Sequence, residues 1–230
     1  MSAARPPEGA RTGGRSTEVP PVSAAQGLHL WGRLSSINVR KVVLCAQWLG
    51  LDLPRTDAGL SHGVVDTPAY RALNPNGLVP LLRDGDFTLW ESNAILRYLC
   101  ERQGRGMPAD LRTRADTNRW LDWQQTTLNR AGSPAFTQWI RTPAERRDLA
   151  AIEASVRAAE PLFERLDGHL AQRPWMAGDE LTAADFPIAC EIHRWFGLPQ
   201  PRPAWPHLER WYAGWLAMPC SRGVLDLPLA

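Results

Sequence analysis

Lysine is nearly missing from this chain: Lys41 is the only one among 230 residues, and every other fixed side-chain positive charge is an arginine. That bias reads as coding preference, so no single arginine stands out as a site. Charge of one sign is also scarce. A net charge of +2 argues against a large nucleic-acid or membrane footprint. No apolar run approaches the roughly eighteen to twenty residues of a membrane span. Cysteine is sparse and scattered: Cys45, Cys100, Cys190 and Cys220 form no CxxC pair. Neither a zinc site nor a disulfide framework is suggested, no metal is expected, and the thiols read as buried groups in a reducing compartment. With no hydrophobic signal core near Met1, the expected location is the cytoplasm.

The length fits one or two compact domains. Residues 1–26, rich in Ala, Pro, Gly, Ser and Arg and without hydrophobic period, read as a disordered tail. Residues 27–104 mix strands and helices. Leu28–Trp31 reads as a strand, and a polar turn leads into a helix carrying Val39, Val42, Val43, Ala46 and Leu49, with Gly50 placed to stop it. Leu53–Asp57 can form a second strand, and a short helix is expected near Thr67–Leu73. Val79–Leu82 and Phe87–Trp90 flank Asp84-Gly85, a hairpin signal. A helix begins at Glu91-Ser92-Asn93, its apolar stripe being Ala94, Ile95, Tyr98 and Leu99. After a linker at 105–110 the strand signals stop. Residues 111–230 read as helices, with turns near Gly132-Ser133-Pro134, Pro143, Pro174 and 198–206. The expected fold class is therefore α/β plus all-α: a thioredoxin-like domain followed by a helical bundle. Eight of the eleven tryptophans fall in the second part, where most should pack cores.

Three motifs together resemble the glutathione transferase family over roughly residues 27–225. Asn74-Pro75-Asn76-Gly77-Leu78-Val79-Pro80 matches the loop that enters the third strand. In that family the Val-Pro bond is cis, and the resemblance implies that Val79 pairs with the cysteinyl backbone of glutathione. Glu91-Ser92, eleven and twelve residues after Pro80, resembles the pair that holds the γ-glutamyl end. Elementary chemistry offers a plainer use for Ser92, as a helix cap, and both uses are compatible. Leu181-Thr182-Ala183-Ala184-Asp185-Phe186 resembles the buried capping motif of the family's central C-terminal helix. Arg119–Gln124 is similar to a fourth helix of bacterial members, while Ala217-Met218-Pro219 stands where an Arg-Pro is common.

The resemblance implies an enzyme that ionises the thiol of glutathione, its co-substrate, and delivers it to a small apolar electrophile. A thiol of pKa ~8.5 needs a donor to its sulfur to react at neutral pH. The turn after the first strand holds neither Tyr nor Cys, which disfavours the tyrosine and cysteine types. Ser36 falls where theta-like members carry a hydroxyl, and Asn38 where nu-like members carry an amide. Ser36 is expected to be the donor, with Asn38 assisting or replacing it and Ser35 as the fallback. His62 is a further candidate for glutathione. Trp123, Gln124 and Thr127 could wall the electrophile site, whereas Trp120 reads as core. Two other functions stay open: a nu-like disulfide reductase or peroxidase, and a non-catalytic ligand binder. The resemblance also implies a homodimer.

Overall fold

The computed structural model describes residues 27–230, so the tail expected at 1–26 lies outside the described residues. Strand β1 (Leu28–Trp31) is central. It pairs in parallel with the short β2 (Arg55–Thr56) and antiparallel with β3 (Leu81–Asp84), which pairs with β4 (Phe87–Trp90), giving the sheet order β2-β1-β3-β4. Leu30 opposite Leu82 puts two fully buried side chains at the sheet centre. The β3–β4 loop is Gly85-Asp86, one residue on from the expected Asp84-Gly85. Gly85 takes φ 61°, which a residue without a Cβ adopts cheaply.

Helices α1 (Ile37–Leu49), α2 (Pro68–Leu73) and α3 (Ser92–Arg102) complete this part. Val39, Val42 and Cys45 turn one face of α1 inward, and the left-handed Gly50 ends it, its N–H bonding the carbonyls of Ala46 and Gln47. Thr67 caps α2 by accepting from the Tyr70 N–H.

The helical part departs from expectation at one place. No turn forms at Gly132-Ser133-Pro134. Helix α4 (Leu111–Trp123) runs through a π-turn (Gln124–Leu128) into α5 (Asn129–Phe136) and a second π-turn (Thr137–Arg141) without a break. Pro134 has no N–H to donate, and beside it the Ser155 hydroxyl of the facing helix accepts from the Ala135 N–H at 3.2 Å and donates to the Ala131 carbonyl at 2.5 Å. Gly132 faces the Trp195 ring, and a Cβ there would make an ordinary contact at 3.5 Å. Helices α6 (Leu149–Leu170), α7 (Asp185–Phe196) and α8 (Pro206–Ala217) follow.

Asp185 fixes the start of α7. Its carboxylate accepts from the N–H groups of Met176 and Thr182, both at 2.8 Å, and from the Thr182 hydroxyl at 3.1 Å. One continuous apolar core runs from β1, α1 and α3 into α4–α8. Trp120 belongs to it, edge-on to Trp123. Among the described residues no helix is long and apolar enough to cross a membrane.

Candidate functional site

The β1–α1 turn, the loop before β3 and the start of α3 converge on a polar cavity of about 120 Å³. Its lining includes Asn38, Asn76, Val79, Pro80, Glu91, Ser92 and, from the π-turn after α4, Gln125. The Val79–Pro80 bond is cis. Asn74 Nδ2 and the Tyr70 hydroxyl both donate to the Leu78 carbonyl, at 2.8 and 2.7 Å, so the loop is fixed up to the residue before Val79. Val79 itself makes no backbone hydrogen bond among the described residues, which leaves its N–H and C=O for a partner in the cavity. Glu91 stands at φ 72°, a left-handed conformation that costs an Glu about 1–3 kcal/mol. Its exposed carboxylate has no ion pair among the described residues. The first N–H groups of α3 lack intrahelical acceptors, as at any helix start. An ammonium and a carboxylate therefore both find complementary groups at this corner.

A second cavity, of about 220 Å³, lies between the β1–α1 turn and the second half of the long helix. Ser36, Ile37, Asn38, Asn129, Ser133, Phe136 and His193 are among its lining residues, with Arg33, Arg40, Arg141 and Arg194. Asn38 borders both cavities. The Ser92 hydroxyl donates to Asn38 Oδ1 at 3.3 Å, which leaves the Asn38 NH₂ without a partner among the described residues. Ser36 is the N-cap residue of α1, yet its hydroxyl makes no cap bond and remains an available donor.

Two family models match the chain: one described as the glutathione S-transferase N-terminal domain at residues 30–107, the other as the glutathione S-transferase C-terminal domain at 133–219. Glutathione S-transferase GstB of Escherichia coli (strain K12) is 40% identical over 210 residues, covering 88% of this chain and 100% of that protein. A theta class glutathione S-transferase from Xanthomonas axonopodis pv. citri, solved with glutathione bound, superposes with a TM-score of 0.86 at 39% identity, covering 89% of this chain and 100% of that one. Human glutathione S-transferase theta-1 is 32% identical over 175 residues, 72% of each chain.

The chain belongs to the glutathione S-transferase family.

Within this transferase, the structure gathers Ser36, Asn38, Val79, Pro80, Glu91 and Ser92 around the two cavities, and leaves four other expected residues apart. His62 sits exposed in a tight turn closed by the Gly59 and Gly63 backbones and lines neither cavity. Trp123 packs against Trp120, and Thr127 lines a separate open groove against α6.

Gln124 is fully buried and lines neither cavity. Its Oε1 accepts from Lys41 Nζ at 2.8 Å, and its Nε2 donates to Glu191 Oε1 at 2.7 Å. Glu191 in turn pairs with Arg194 at 2.6 Å, and Arg194 donates to Asn129 Oδ1 at 2.8 Å. Helical phase explains the misplacement. Adjacent helical residues point about 100° apart, and the π-turn shifts the phase again, so Gln125 and Asn129 face the cavities where Gln124 and Thr127 do not. A spacing of four through Gln125, Asn129 and Ser133 was the available signal. Lys41 also donates to Gln125 Oε1 at 3.1 Å, which leaves the Gln125 NH₂ for the polar cavity.

Arg40 is a further buried cation. It donates to the carbonyls of Leu34, Val224, Leu227 and Pro228, and to His193 Nε2 at 2.7 Å. Because a guanidinium only donates, His193 must accept at Nε2 and carry its proton on Nδ1, toward the Tyr212 hydroxyl at 2.9 Å. Burial first, then Arg40, lowers the imidazole pKa to about 4. This clamp is what fastens the C-terminal segment, a role that Ala217-Met218-Pro219 leaves open. Cys190 also lines the larger cavity, but burial pushes its thiol up to about 12, so it stays protonated.

Proposed function

We propose that this protein binds glutathione in the polar cavity, ionises its thiol at Asn38 and Ser36, and transfers it to a small electrophile held in the larger cavity. One observation carries the reading: Asn38 is shared by both cavities, so a thiol lying against its free NH₂ also faces the second. The Val79 backbone, free of internal partners, suits the cysteinyl unit. The Glu91 carboxylate suits the γ-glutamyl ammonium, while the Ser92 backbone N–H at the open N-terminus of α3 suits its carboxylate. Gln125 adds a donor held in place by Lys41.

The chemistry is stabilisation of a sulfur anion. The Asn38 amide and the Ser36 hydroxyl each supply one hydrogen bond to sulfur, and the start of α1 adds its positive end. Each favours thiolate over thiol, and thiolate is the nucleophile. Ile37, Phe136 and Leu229 provide apolar surface for the body of the acceptor. The shared Asn38 also suits the second reading, glutathione-dependent disulfide reduction or peroxidase activity. Since Cys190 is held as a thiol, both sulfurs would then come from glutathione.

The protein is further proposed to be cytoplasmic and a homodimer. Exposed Phe87 and Trp90 on β4 offer apolar surface for a second copy. Sedimentation at micromolar concentration should then give twice the 25.6 kDa of one chain.

The test begins with glutathione affinity by calorimetry and continues with turnover of a chloronitroaromatic, a hydroperoxide and a mixed disulfide. Conjugation of the aromatic is the expected result. Turnover of the mixed disulfide alone would favour the reductase, and binding without any turnover would leave a carrier.

A further inference from the structure

The larger cavity is lined by four arginines and by no Asp or Glu. Two of the four are already committed. Arg40 clamps the C-terminal segment, and Arg194 pairs with Glu191. Arg33 and Arg141 are not, since neither forms an ion pair among the described residues. Arg141, at the exposed mouth, makes only one hydrogen bond, to the Ser35 carbonyl at 3.3 Å. Arg33, half-buried, donates none, and its Nε is buried with no partner.

Arg33 reaches from the β1–α1 turn toward the loop that holds Gly59. Gly59 takes φ 82°, and a Cβ there would come within 2.7 Å of Arg33 Nη1. The Arg33 guanidinium thus lies directly against the Gly59 backbone. Burial, followed by Arg141, lowers the Arg33 pKa; burial, followed by Arg194, lowers that of Arg141. Neither guanidinium has an anionic partner among the described residues, though Arg141 lies over the Phe136 ring at 5.0 Å. A half-buried, unpaired cation such as Arg33 carries a free-energy cost, which an anion entering the cavity would offset. Guanidinium groups match carboxylates with paired, charge-assisted hydrogen bonds.

We infer that the electrophile taken by this cavity carries an anionic group of the carboxylate class, anchored by Arg33 and Arg141, with its apolar body against Ile37 and Phe136. The inference rests on the proposed glutathione transfer for its reaction, though the anchoring can be read without it. With 4-chloro-3-nitrobenzoate as acceptor, the thiolate sulfur forms a bond to the ring carbon bearing chlorine. The C–Cl bond then breaks and chloride leaves with the electron pair, while the thiol proton has gone to solvent.

The test compares 4-chloro-3-nitrobenzoate with the uncharged 4-chloro-3-nitrobenzamide as acceptors for the full-length protein, Arg141→Gln and Arg33→Gln. Arg130→Gln, outside the cavity, is the control. The ratio of kcat/KM for benzoate over benzamide should fall about tenfold or more in each cavity variant and hold in the control, given the strength of hydrogen bonds to charged groups. An unchanged ratio overturns the inference. So does a rise in the glutathione KM with the ratio constant, which would mean that these arginines serve the carboxylates of glutathione.

A second arm needs no catalysis. Calorimetry with 4-nitrobenzoate and 4-nitrobenzamide, neither of which has a leaving group, should show tighter benzoate binding to the wild type, lost in Arg141→Gln. Equal binding of the two sinks the anchor. Absence of glutathione binding to the wild type, with this benzoate preference intact, would instead sink the transferase reading alone.

Discussion

Lys41 donates to two amide oxygens, of Gln124 and Gln125, from a fully buried position. Burial lowers its pKa from 10.5 to about 8, with Glu191 working in the opposite direction. Below pH 8 both folded and unfolded chains carry the proton. Between about 8 and 10.5 the unfolded chain holds more of it, so stability rises with pH across that window. Urea midpoints for the wild type and Lys41→Met should diverge there, the wild type gaining roughly 3 kcal/mol relative to the variant by the top of the window. Parallel pH profiles would contradict this. At the same scale, the glutathione motif was legible in the sequence because backbone chemistry fixes it: a proline at a cis bond and a serine at a helix start. The arginines were not. A compositional bias hid Arg33, Arg40, Arg141 and Arg194 among many of their kind, and only three-dimensional placement separates the clamped from the free.

At the scale of elements, the first half followed its periodicity closely, and the long helix did not. A Gly-Ser-Pro sequence reads as a turn, yet the Ser155 hydroxyl of α6 bridges the Ala131 carbonyl and the Ala135 N–H beside Pro134, and the helix continues. Such compensation comes from packing and leaves no local trace in sequence. The C-terminal segment was equally hidden, since its anchor, Arg40, lies more than 180 residues upstream of the carbonyls it binds. Replacing Arg40 with Met removes that set of bonds and leaves the Val224, Leu227 and Pro228 carbonyls without donors. Amide exchange across residues 220–230 should quicken well beyond that of α6, with a stability loss of about 3 kcal/mol. Unaltered exchange at the C-terminal end would show that the clamp is incidental.

For the whole molecule, the core that joins the sheet to the helices has an energetic consequence. Phe186 of α7 meets both Trp48 of α1 and Trp215 of α8, at centroid distances of 5.4 and 5.6 Å, so neither part keeps its apolar face covered alone. Unfolding followed by tryptophan fluorescence and by far-ultraviolet circular dichroism should give coincident single transitions. Two separated transitions would mean that the sheet and the helices are independent units.

The same joining places Asn38 and Ser36 between two cavities, and the function proposed depends on what those side chains do to one sulfur. The most direct measurement is the pKa of the bound glutathione thiol, read from thiolate ultraviolet absorbance against pH. Wild type should titrate at least about one unit below the free thiol value of ~8.5. Asn38→Ala and Ser36→Ala should each move it back up. A bound thiol that titrates like free glutathione, or that is unmoved by both substitutions, would contradict the account.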